Sequence, residues 1–174
     1  FYRMNKLSVI IPARNEAENL PKCIFEICEE LIKHSIKYEI LVIDDGSTDN
    51  TAEVIDNITK EFESVICIKN KNENGFGRAI RLGLEIFTGD AVAIMMADRS
   101  DSPRDLVEYW KILSSGVECA FGSRFIQGSK VYDYPKLKLL MNRFVNMMIK
   151  YAFNIKCNDV TNAFKMYKRE VIEG

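Results

Sequence analysis

Two short apolar runs constrain the fold of this chain most strongly, because each is followed by a polar loop and then by a helical pattern. The runs cover residues 7–11 and 40–43, and the loops after them are Pro12-Ala13-Arg14-Asn15-Glu16 and Asp44-Asp45-Gly46-Ser47-Thr48-Asp49. Continuous apolar residues, in contrast to alternating ones, indicate strands that are buried on both faces. The repeated strand, loop and helix predict an α/β fold, with a mainly parallel sheet covered by helices on both sides.

The rest of the chain continues this alternation. Apolar runs predict strands at 39–43, 65–68, 91–96 and 117–121, and helical periods predict helices at 19–33, 49–62, 76–87, 102–113 and 134–153. The segment Ser102-Pro103-Arg104-Asp105 has the form of a capping box at the start of the fourth helix. Asp49 is placed to cap the second helix.

Composition restricts the kind of protein. A chain of 174 residues that is 47% hydrophobic predicts one domain over residues 1–174, and its end within a helical pattern predicts that more protein follows. A net charge of −1 gives no basic field for nucleic acid. The five cysteines have no Cys-x-x-Cys spacing and mostly lie in apolar stretches, which predicts reduced thiols in a reducing, cytoplasmic compartment.

The two polar loops have the chemistry of a nucleotide site. Ligands of open α/β sheets bind at the carboxyl ends of the strands, where helix N-termini offer N–H donors to phosphate, and the second loop adds carboxylates. Because the chain lacks a Walker motif and a Gly-x-Gly-x-x-Gly turn there, a sugar nucleotide is favoured. Asp44 would accept a hydrogen bond from the base or ribose, Ser47 and the Gly46 backbone would line the diphosphate, and Glu16 would take a ribose hydroxyl. The alternatives are a helix cap with a turn acid at Asp44 and Asp45, and a first-turn acid at Glu16.

Four further motifs follow in order: Asn74-Gly75-Phe76-Gly77-Arg78, Met96-Ala97-Asp98-Arg99-Ser100-Asp101-Ser102-Pro103, Gly122-Ser123-Arg124-Phe125 and Asp159-Val160-Thr161-Asn162-Ala163-Phe164-Lys165-Met166-Tyr167-Lys168. With the two loops, they resemble the family 2 glycosyltransferases, and most closely the dolichol-phosphate mannosyltransferase branch. The resemblance implies a glycosyltransferase-A fold of Rossmann type. It implies an enzyme that moves a hexose, mannose or glucose, with inversion from a nucleoside diphosphate sugar to a polyprenyl or dolichyl phosphate. Donor contacts are then expected from Pro12, Ala13, Arg14, Asn15, Glu16, Asp44, Asp45, Gly46, Ser47, Gly77, Arg78, Ala97 and Asp98.

The family holds Mg²⁺ or Mn²⁺ with an Asp-x-Asp motif after the fourth strand. Here Met96 stands at the first aspartate and Asp98 matches the second. A thioether is a poor ligand for a hard cation, so the resemblance implies that Asp98 holds the metal, with Ser100 or Asp101 as additional oxygen ligands. The alternative is that Asp98 and Asp101 cap the helix that Pro103 opens.

By the same resemblance, Arg124, Lys138, Asn142 and Arg143 fall where relatives hold the lipid phosphate, and Asp98, Arg124 and Arg143 are the expected catalytic residues. Residues 134–153 are strongly apolar yet carry four basic side chains. The stripe formed by Leu137, Leu140, Met141, Phe144, Met147, Met148 and Tyr151 fits either a core helix or a helix lying in the headgroup region of a membrane. The second possibility places the protein at the cytoplasmic face of a membrane, in peripheral contact with it.

Two alternatives for the function remain at this stage. Transfer to a sugar or protein hydroxyl would need a general base, for which Asp101 is a candidate. A non-catalytic domain that binds nucleotide sugars is the second alternative, because Met96 weakens the metal motif.

Overall fold

The computed structural model describes residues 4–71, 73–123, 125, 136–155, 157 and 159–174, with only the helical backbone for 136–139. The chain divides into two compact units, one formed by Phe1–Ala120 with Phe164–Gly174 and the other by Phe121–Ala163. The single catalytic domain expected over residues 1–174 stays a prediction. The strands are β1 Lys6–Ala13, β2 Lys37–Asp44, β3 Val65–Lys69, β4 Ala91–Ile94, β5 Cys119–Phe121 and β6 Lys165–Lys168. The helices are α1 Leu20–Lys33, α2 Thr51–Glu61, α3 Phe76–Ile86, α4 Pro103–Ser114, α5 Lys136–Phe153 and α6 Arg169–Glu173.

The strand order places β1 at the centre of the sheet. Over the described residues the order is β3-β2-β1-β4-β6-β5, with β1 parallel to both β2 and β4 and with β6 antiparallel to β4. The register pairs Ala13 with Asp44, so β1 and β2 end side by side. The predicted mixed, mainly parallel sheet is therefore confirmed.

Helices cover both faces of this sheet. Val9 and Ile11 of β1 pack in one apolar cluster with residues of α1, α2 and α4, whereas Ile10 packs in a second cluster with Ala79 of α3. All three β1 side chains are fully buried, which explains the continuous apolar run. Gly83 lets α3 approach closely, because a Cβ there would lie 2.7 Å from Ile10.

The structure corrects four predictions of local structure. The strand β6 was not predicted, because its four residues, Lys165–Lys168, are too short and too polar to show a period. The fourth strand ends at Ile94 and not at residue 96, since the Met96 N–H turns to the Asp101 carboxylate. The capping box is wrong: Ser102 is the N-cap of α4 but makes no side-chain capping hydrogen bond. The N-cap of α2 is Asn50 and not Asp49, although the Asp49 carboxylate accepts the N–H of Thr51, the first residue of α2.

A buried carboxylate joins three segments at the amino-terminal edge of the sheet. Glu39 of β2 is 4% exposed and accepts hydrogen bonds from Lys6 Nζ (2.6 Å), Ser8 Oγ (2.6 Å) and the N–H and hydroxyl of Thr88 (2.7 and 2.8 Å). Burial raises the pKa of Glu39, but these hydrogen bonds outweigh it and lower the pKa from an ordinary 4.5 to about 2. The ionised form is thus the one that the fold stabilises.

We expect Glu39→Gln to lower the free energy of unfolding by about 2 kcal/mol at pH 7, because it removes a charge that four donors share. Since the folded pKa is the lower one, this contribution is fully present above about pH 5 and is lost as the pH falls towards about 2. Urea unfolding from pH 7 to pH 3 measures both effects. Glu61→Gln, at an exposed position on α2, should change the unfolding free energy by less than about 0.5 kcal/mol. Equal stability of Glu39→Gln and the parent would contradict this account.

Candidate active site

The strand order creates a crevice at the carboxyl edge of the sheet. The chain proceeds from β1 outward to β3 and then returns to the other side of β1 as β4. In open α/β sheets such a reversal separates the loops that follow the two strands, and ligands bind there. The loops after β1, β2 and β4 carry most of the predicted donor residues, so the topology brings them to one edge.

Hydrogen bonds join the loops after β1 and β2 into one surface. The Asp45 N–H donates to the Ala13 carbonyl (2.9 Å), and the Asn15 N–H donates to Ser47 Oγ (3.1 Å). Asn15 Oδ1 in turn accepts the Thr48 N–H (2.8 Å). Asn15 itself adopts φ 58°, a left-handed conformation that asparagine tolerates better than most residues. Pro12 and Ala13 are buried, so any ligand contact from them is through the backbone.

Asp44 uses only one of its two carboxylate oxygens in hydrogen bonds with the described residues. It is 3% exposed, its Oδ1 accepts the Ser47 N–H (2.9 Å), and no described residue donates to its Oδ2. Gly46 makes the turn possible with φ 76°, and a Cβ there would lie 2.7 Å from the side chain of Asn74. The N-cap of α2 is Asn50, so the alternative that Asp44 is a helix cap is wrong.

Asp45 has a different environment from its neighbour. Its Oδ1 accepts Asn70 Nδ2 (2.7 Å) and its Oδ2 accepts the N–H of Gly75 (2.8 Å), the N-cap of α3. Both oxygens are therefore committed to joining β2, the loop after β3 and the start of α3. A direct contact between Asp45 and the sugar nucleotide stays a prediction. The two hydrogen bonds of its side chain given above join parts of the fold.

Glu16 precedes α1 and is not part of its first turn. Its carbonyl accepts the Leu20 N–H (2.9 Å), its carboxylate accepts Asn19 Nδ2 (3.0 Å), and its own N–H donates to Thr51 Oγ1 (3.0 Å). The first-turn interpretation is wrong, because α1 begins at Leu20 with Asn19 as N-cap. Glu16 is half-buried and its backbone contacts the first residue of α2, and the ribose contact expected of its carboxylate stays a prediction.

The loop after β4 presents Asp98 to solvent. Its Oδ1 accepts the Ser100 N–H (3.0 Å), and no described residue donates to its Oδ2. Asp101 Oδ2 accepts the Met96 N–H (2.8 Å), so this acid closes the loop. Because Ser102 is the N-cap of α4 and makes no side-chain capping hydrogen bond, the interpretation of Asp98 and Asp101 as capping residues of α4 is wrong. Ala97, between them, is buried and can offer only its backbone.

These residues fit one way of holding a divalent cation. Within the described part of the chain, no group of three or more His, Cys, Asp or Glu side chains could form a complete protein cage. Mg²⁺ in nucleotide sites is instead bound through one or two carboxylates, the substrate phosphates and water. The accessible Asp98 carboxylate meets that requirement, and Ser100 and Asp101 lie within the same loop.

The motif at residues 74–78 lies at the start of α3 and is largely exposed, and its Arg78 forms an ion pair with Glu73. Arg78 Nη1 lies 2.6 Å from Glu73 Oε2, and both side chains are largely exposed. An added Cβ at Gly77 would meet no atom within 4 Å, so the backbone is open to approach. An open groove of about 380 Å³ borders Arg78 and Asn70. The phosphate contact expected of Arg78 stays a prediction.

Asn146 is the buried polar residue of α5 in the second unit. Its Oδ1 accepts the N–H groups of Val160 (2.7 Å) and Thr161 (3.2 Å), and its Nδ2 donates to the Asn142 carbonyl (2.9 Å) and to Thr161 Oγ1 (2.9 Å). The side chain thereby fixes the segment at residues 159–161 to the helix. Asparagine within a helical pattern gives no sequence signal for this role.

Of the predicted acceptor residues, Arg143 and Asn142 have described side chains. The Arg143 guanidinium carbon lies 5.5 Å from the centroid of the Phe125 ring, a cation–π distance, and Phe125 directly follows Arg124 in the sequence. Arg124 and the side chain of Lys138 lie outside the described residues. The structure therefore places Arg143 next to Phe125, and the phosphate contacts stay predictions.

The apolar stripe of α5 is exposed in the structure, not buried. The exposed members are Leu140, Met141, Phe144, Met147, Met148 and Tyr151, with Tyr151 at 79% and Leu140 at 66%, whereas the side chain of Leu137 lies outside the described residues. Isolated exposed apolar residues are ordinary, but a contiguous set marks an interaction surface. Among the described helices, none has the length and apolar character needed to cross a membrane.

All five cysteines are free thiols, as expected from their spacing. Cys23 and Cys28 are buried in the core, and burial raises the pKa of both thiols, that of Cys23 to about 12.

Comparison with known proteins identifies the family of this chain. The family model described as glycosyl transferase family 2 matches residues 8–174, and the chain belongs to that family. A dolichol-phosphate mannosyltransferase of Pyrococcus furiosus is 32% identical over 97% of this chain and 48% of its own length. A polyprenol monophosphomannose synthase of Mycolicibacterium smegmatis is 30% identical over 95% of this chain and 62% of its own length. The chain thus spans about half to three-fifths of the length of these curated relatives.

A solved structure supports the fold. The mannosyltransferase PcManGT of Pyrobaculum calidifontis, crystallised with GDP-Man and Mn²⁺, has a TM-score of 0.66 at 22% identity. The match covers 99% of this chain and 46% of that one. The glycosyltransferase-A fold expected from the sequence is confirmed.

Proposed function

We propose that this chain is the donor-binding part of an inverting glycosyltransferase that moves a hexose from a nucleoside diphosphate sugar to a polyprenyl phosphate. The observation that carries the proposal is the similarity to two enzymes named for mannosyl transfer to such lipids, which extends over 95% or more of this chain. The carboxyl edge of the sheet supports it, because a free carboxylate oxygen of Asp44 and the accessible Asp98 lie on loops at that edge.

On the donor side, each loop has a separate task. Asp44 Oδ2 accepts a hydrogen bond from the base or ribose, and Glu16 accepts one from a ribose hydroxyl. The turn at Gly46 and Ser47 offers backbone N–H groups and a hydroxyl to the diphosphate. Asp45 contributes by holding the start of α3 against β2, which positions the Gly77 and Arg78 backbone beside the donor.

On the acceptor side, a phosphate removes the need for a general base. A phosphate monoester is already anionic at neutral pH, so one of its oxygens attacks the anomeric carbon directly while the bond from that carbon to the diphosphate oxygen breaks. Attack opposite the leaving group inverts the anomeric centre. The protein must align the reactants and offset repulsion between two phosphates, a task for Arg124, Lys138 and Arg143.

When bound, Mg²⁺ or Mn²⁺ supplies Lewis-acid stabilisation of charge on the departing diphosphate. Asp98 would hold it, together with Ser100 or Asp101. Because one protein carboxylate is a small part of the coordination sphere, the diphosphate must complete the site.

The exposed stripe of α5 fits contact with a membrane. Residues 136–153 carry four basic and no acidic side chains beside the exposed apolar ones. Such a helix lies in the interface, with its apolar face towards the acyl chains and its lysines and arginines towards lipid phosphate. We place the protein at the cytoplasmic face of a membrane, in peripheral contact with it.

Transfer to a hydroxyl is the second candidate, because Asp101 could act as its base. The hydrogen bond from the Met96 N–H to Asp101 Oδ2 disfavours that role, since it commits one carboxylate oxygen to the loop. The pH profile of transfer separates the two acceptors. Transfer to a phosphate should show no titration of a catalytic base, whereas transfer to a hydroxyl should show one.

The donor class and metal dependence can be tested by thermal shift with GDP-, UDP- and CDP-hexoses, with and without Mn²⁺. We expect one nucleotide to stabilise the protein, and at a concentration of 100 times Kd the gain is about 2.7 kcal/mol. Mn²⁺ alone should bind weakly and should bind at least about tenfold more tightly once the diphosphate is present. Tight Mn²⁺ binding by the empty protein, or no stabilisation by any nucleotide, would contradict the proposed site.

A further inference from the structure

Helix α1 contacts the loop that carries Asp98 at two points, Met96 and Arg99. At the start of the loop, the Met96 carbonyl accepts a hydrogen bond from Cys23 Sγ (3.6 Å). Burial, followed by nearby acidic groups, raises the pKa of Cys23 to about 12, so the thiol keeps the proton it donates. One turn further along α1, Glu26 contacts Arg99, the residue after Asp98.

The Arg99–Glu26 contact is bidentate. Arg99 Nη2 lies 2.5 Å from Glu26 Oε1 and Arg99 Nε lies 3.3 Å from Glu26 Oε2, with each side chain 40% exposed. An exposed ion pair usually adds little to the stability of a protein. A planar contact through two hydrogen bonds, however, fixes the orientation of the two side chains relative to each other. A stabilising role for the fold as a whole is therefore the weaker explanation of this pair.

Arg99 also has an uncommon backbone conformation. Its φ is 62°, in the left-handed region that a side chain with a Cβ disfavours. Such conformations persist where surrounding contacts determine them, and they cluster at functional sites. Here the neighbouring residue is Asp98, which is exposed and whose carboxylate accepts one hydrogen bond, from the Ser100 N–H within the same loop.

We infer that Arg99 and Glu26 are positioning residues for the metal site: their ion pair fixes the left-handed turn that directs Asp98 towards the cation and the diphosphate. The inference rests on the proposed function, since it assigns Asp98 to the metal. It also adds a link between loops, because the Glu16 carbonyl accepts the N–H of Leu20, the first residue of α1. The donor loop after β1 and the metal loop after β4 are thus joined by one rigid helix.

The test is Mn²⁺ binding measured by electron paramagnetic resonance, with and without GDP or UDP, on the parent, Glu26→Gln, Arg99→Gly and the double variant. Glycine adopts φ 62° without strain, so Arg99→Gly removes the ion pair and leaves the turn allowed. We expect the nucleotide-supported Kd for Mn²⁺ to rise about tenfold in each single variant. The double variant should be no worse than either single one, because all three lack the same contact.

Two further measurements separate positioning from general stability. Metal-free nucleotide affinity should change less than about twofold, and Tm should shift by less than about 2 °C, as expected for an exposed pair. Glu108→Gln breaks a comparable exposed ion pair with Lys111 on α4 and should leave Mn²⁺ binding unchanged. Arg99→Lys keeps a cation and should fall between the parent and Arg99→Gly.

The outcomes are distinguishable. If the parent shows no nucleotide-supported Mn²⁺ binding, the metal site of the proposed function is wrong and the inference is overturned with it. If the parent binds Mn²⁺ in this way and the variants equal it, only the inference is overturned. If the variants weaken metal-free nucleotide binding as much as Mn²⁺ binding, the inference is also overturned, because the ion pair would then support the whole nucleotide site and not the metal ligand alone.

Discussion

Replacing Arg143 by alanine is expected to reduce transfer to polyprenyl phosphate by 30- to 1000-fold, a loss of about 2 to 4 kcal/mol of transition-state stabilisation. The physical reason is that the guanidinium offsets repulsion between the incoming and departing phosphates. Arg124→Ala should have an effect of the same size. Initial rates at saturating donor, with polyprenyl phosphate varied, measure the loss.

Three variants sharpen this result. Arg143→Lys keeps the charge but loses the forked geometry, so it should retain an intermediate rate. Lys150→Ala removes one positive charge from the same helix at a position not assigned to the acceptor phosphate, and at saturating acceptor it should change the rate less than about threefold. Donor affinity should be unchanged in all of them. An equal fall in donor affinity and rate in Arg143→Ala would contradict an acceptor-side role.

Replacing Asp44 by asparagine is expected to weaken binding of the nucleoside diphosphate by about 10- to 150-fold, because it removes a charged acceptor from the base or ribose. The substitution is informative because the amide keeps an oxygen for the Ser47 N–H, so the loop retains its shape. Asp44→Ala should abolish measurable binding, since the loop also loses its support. Calorimetric titration with GDP and UDP measures these affinities.

Asp56→Asn is the matched control for this experiment. Asp56 is an exposed acid on α2, and its substitution changes net charge by the same amount without touching the site. We expect its nucleotide affinity to equal that of the parent. Parent-like binding by Asp44→Asn together with an unchanged Tm would show that Asp44 is not a donor contact.

The fold could be predicted from the sequence because the buried strands have long, continuous apolar runs. The ends of β1 and β2 were expected within one or two residues of where they lie, and burial on both faces of these strands follows from the same pattern. The strand β6 could not be predicted this way, because four residues with lysine at each end have no readable period. Its antiparallel pairing with β4 depends on tertiary structure alone.

The candidate site could be predicted as far as residue types at strand ends allow. The loops after β1 and β2 were correctly expected to lie together, since parallel strands end at the same edge. The partners were not predictable: Asp45 binds Asn70, which lies 25 residues further along the chain, and Arg99 binds Glu26, which lies 73 residues away. Such contacts depend on which helix packs on which loop, and no local pattern encodes that.

Helix α5 shows the same limit. The sequence pattern marked an apolar stripe, and the structure leaves its described members exposed while Asn146 is the buried residue. The hydrophobic period alone cannot distinguish a helix that packs on protein from one that faces another environment.

The most direct test of the central claim is the transfer reaction itself. The protein is incubated with Mn²⁺, a polyprenyl phosphate in detergent or vesicles, and the radiolabelled hexose donor that thermal shift selects from the GDP- and UDP-sugars. We predict a labelled lipid that partitions into organic solvent, releases its sugar in mild acid and has the anomeric configuration opposite to that of the donor. Labelling of a soluble hydroxyl acceptor with no labelled polyprenyl lipid, or no transfer from any bound donor, would contradict the proposed function.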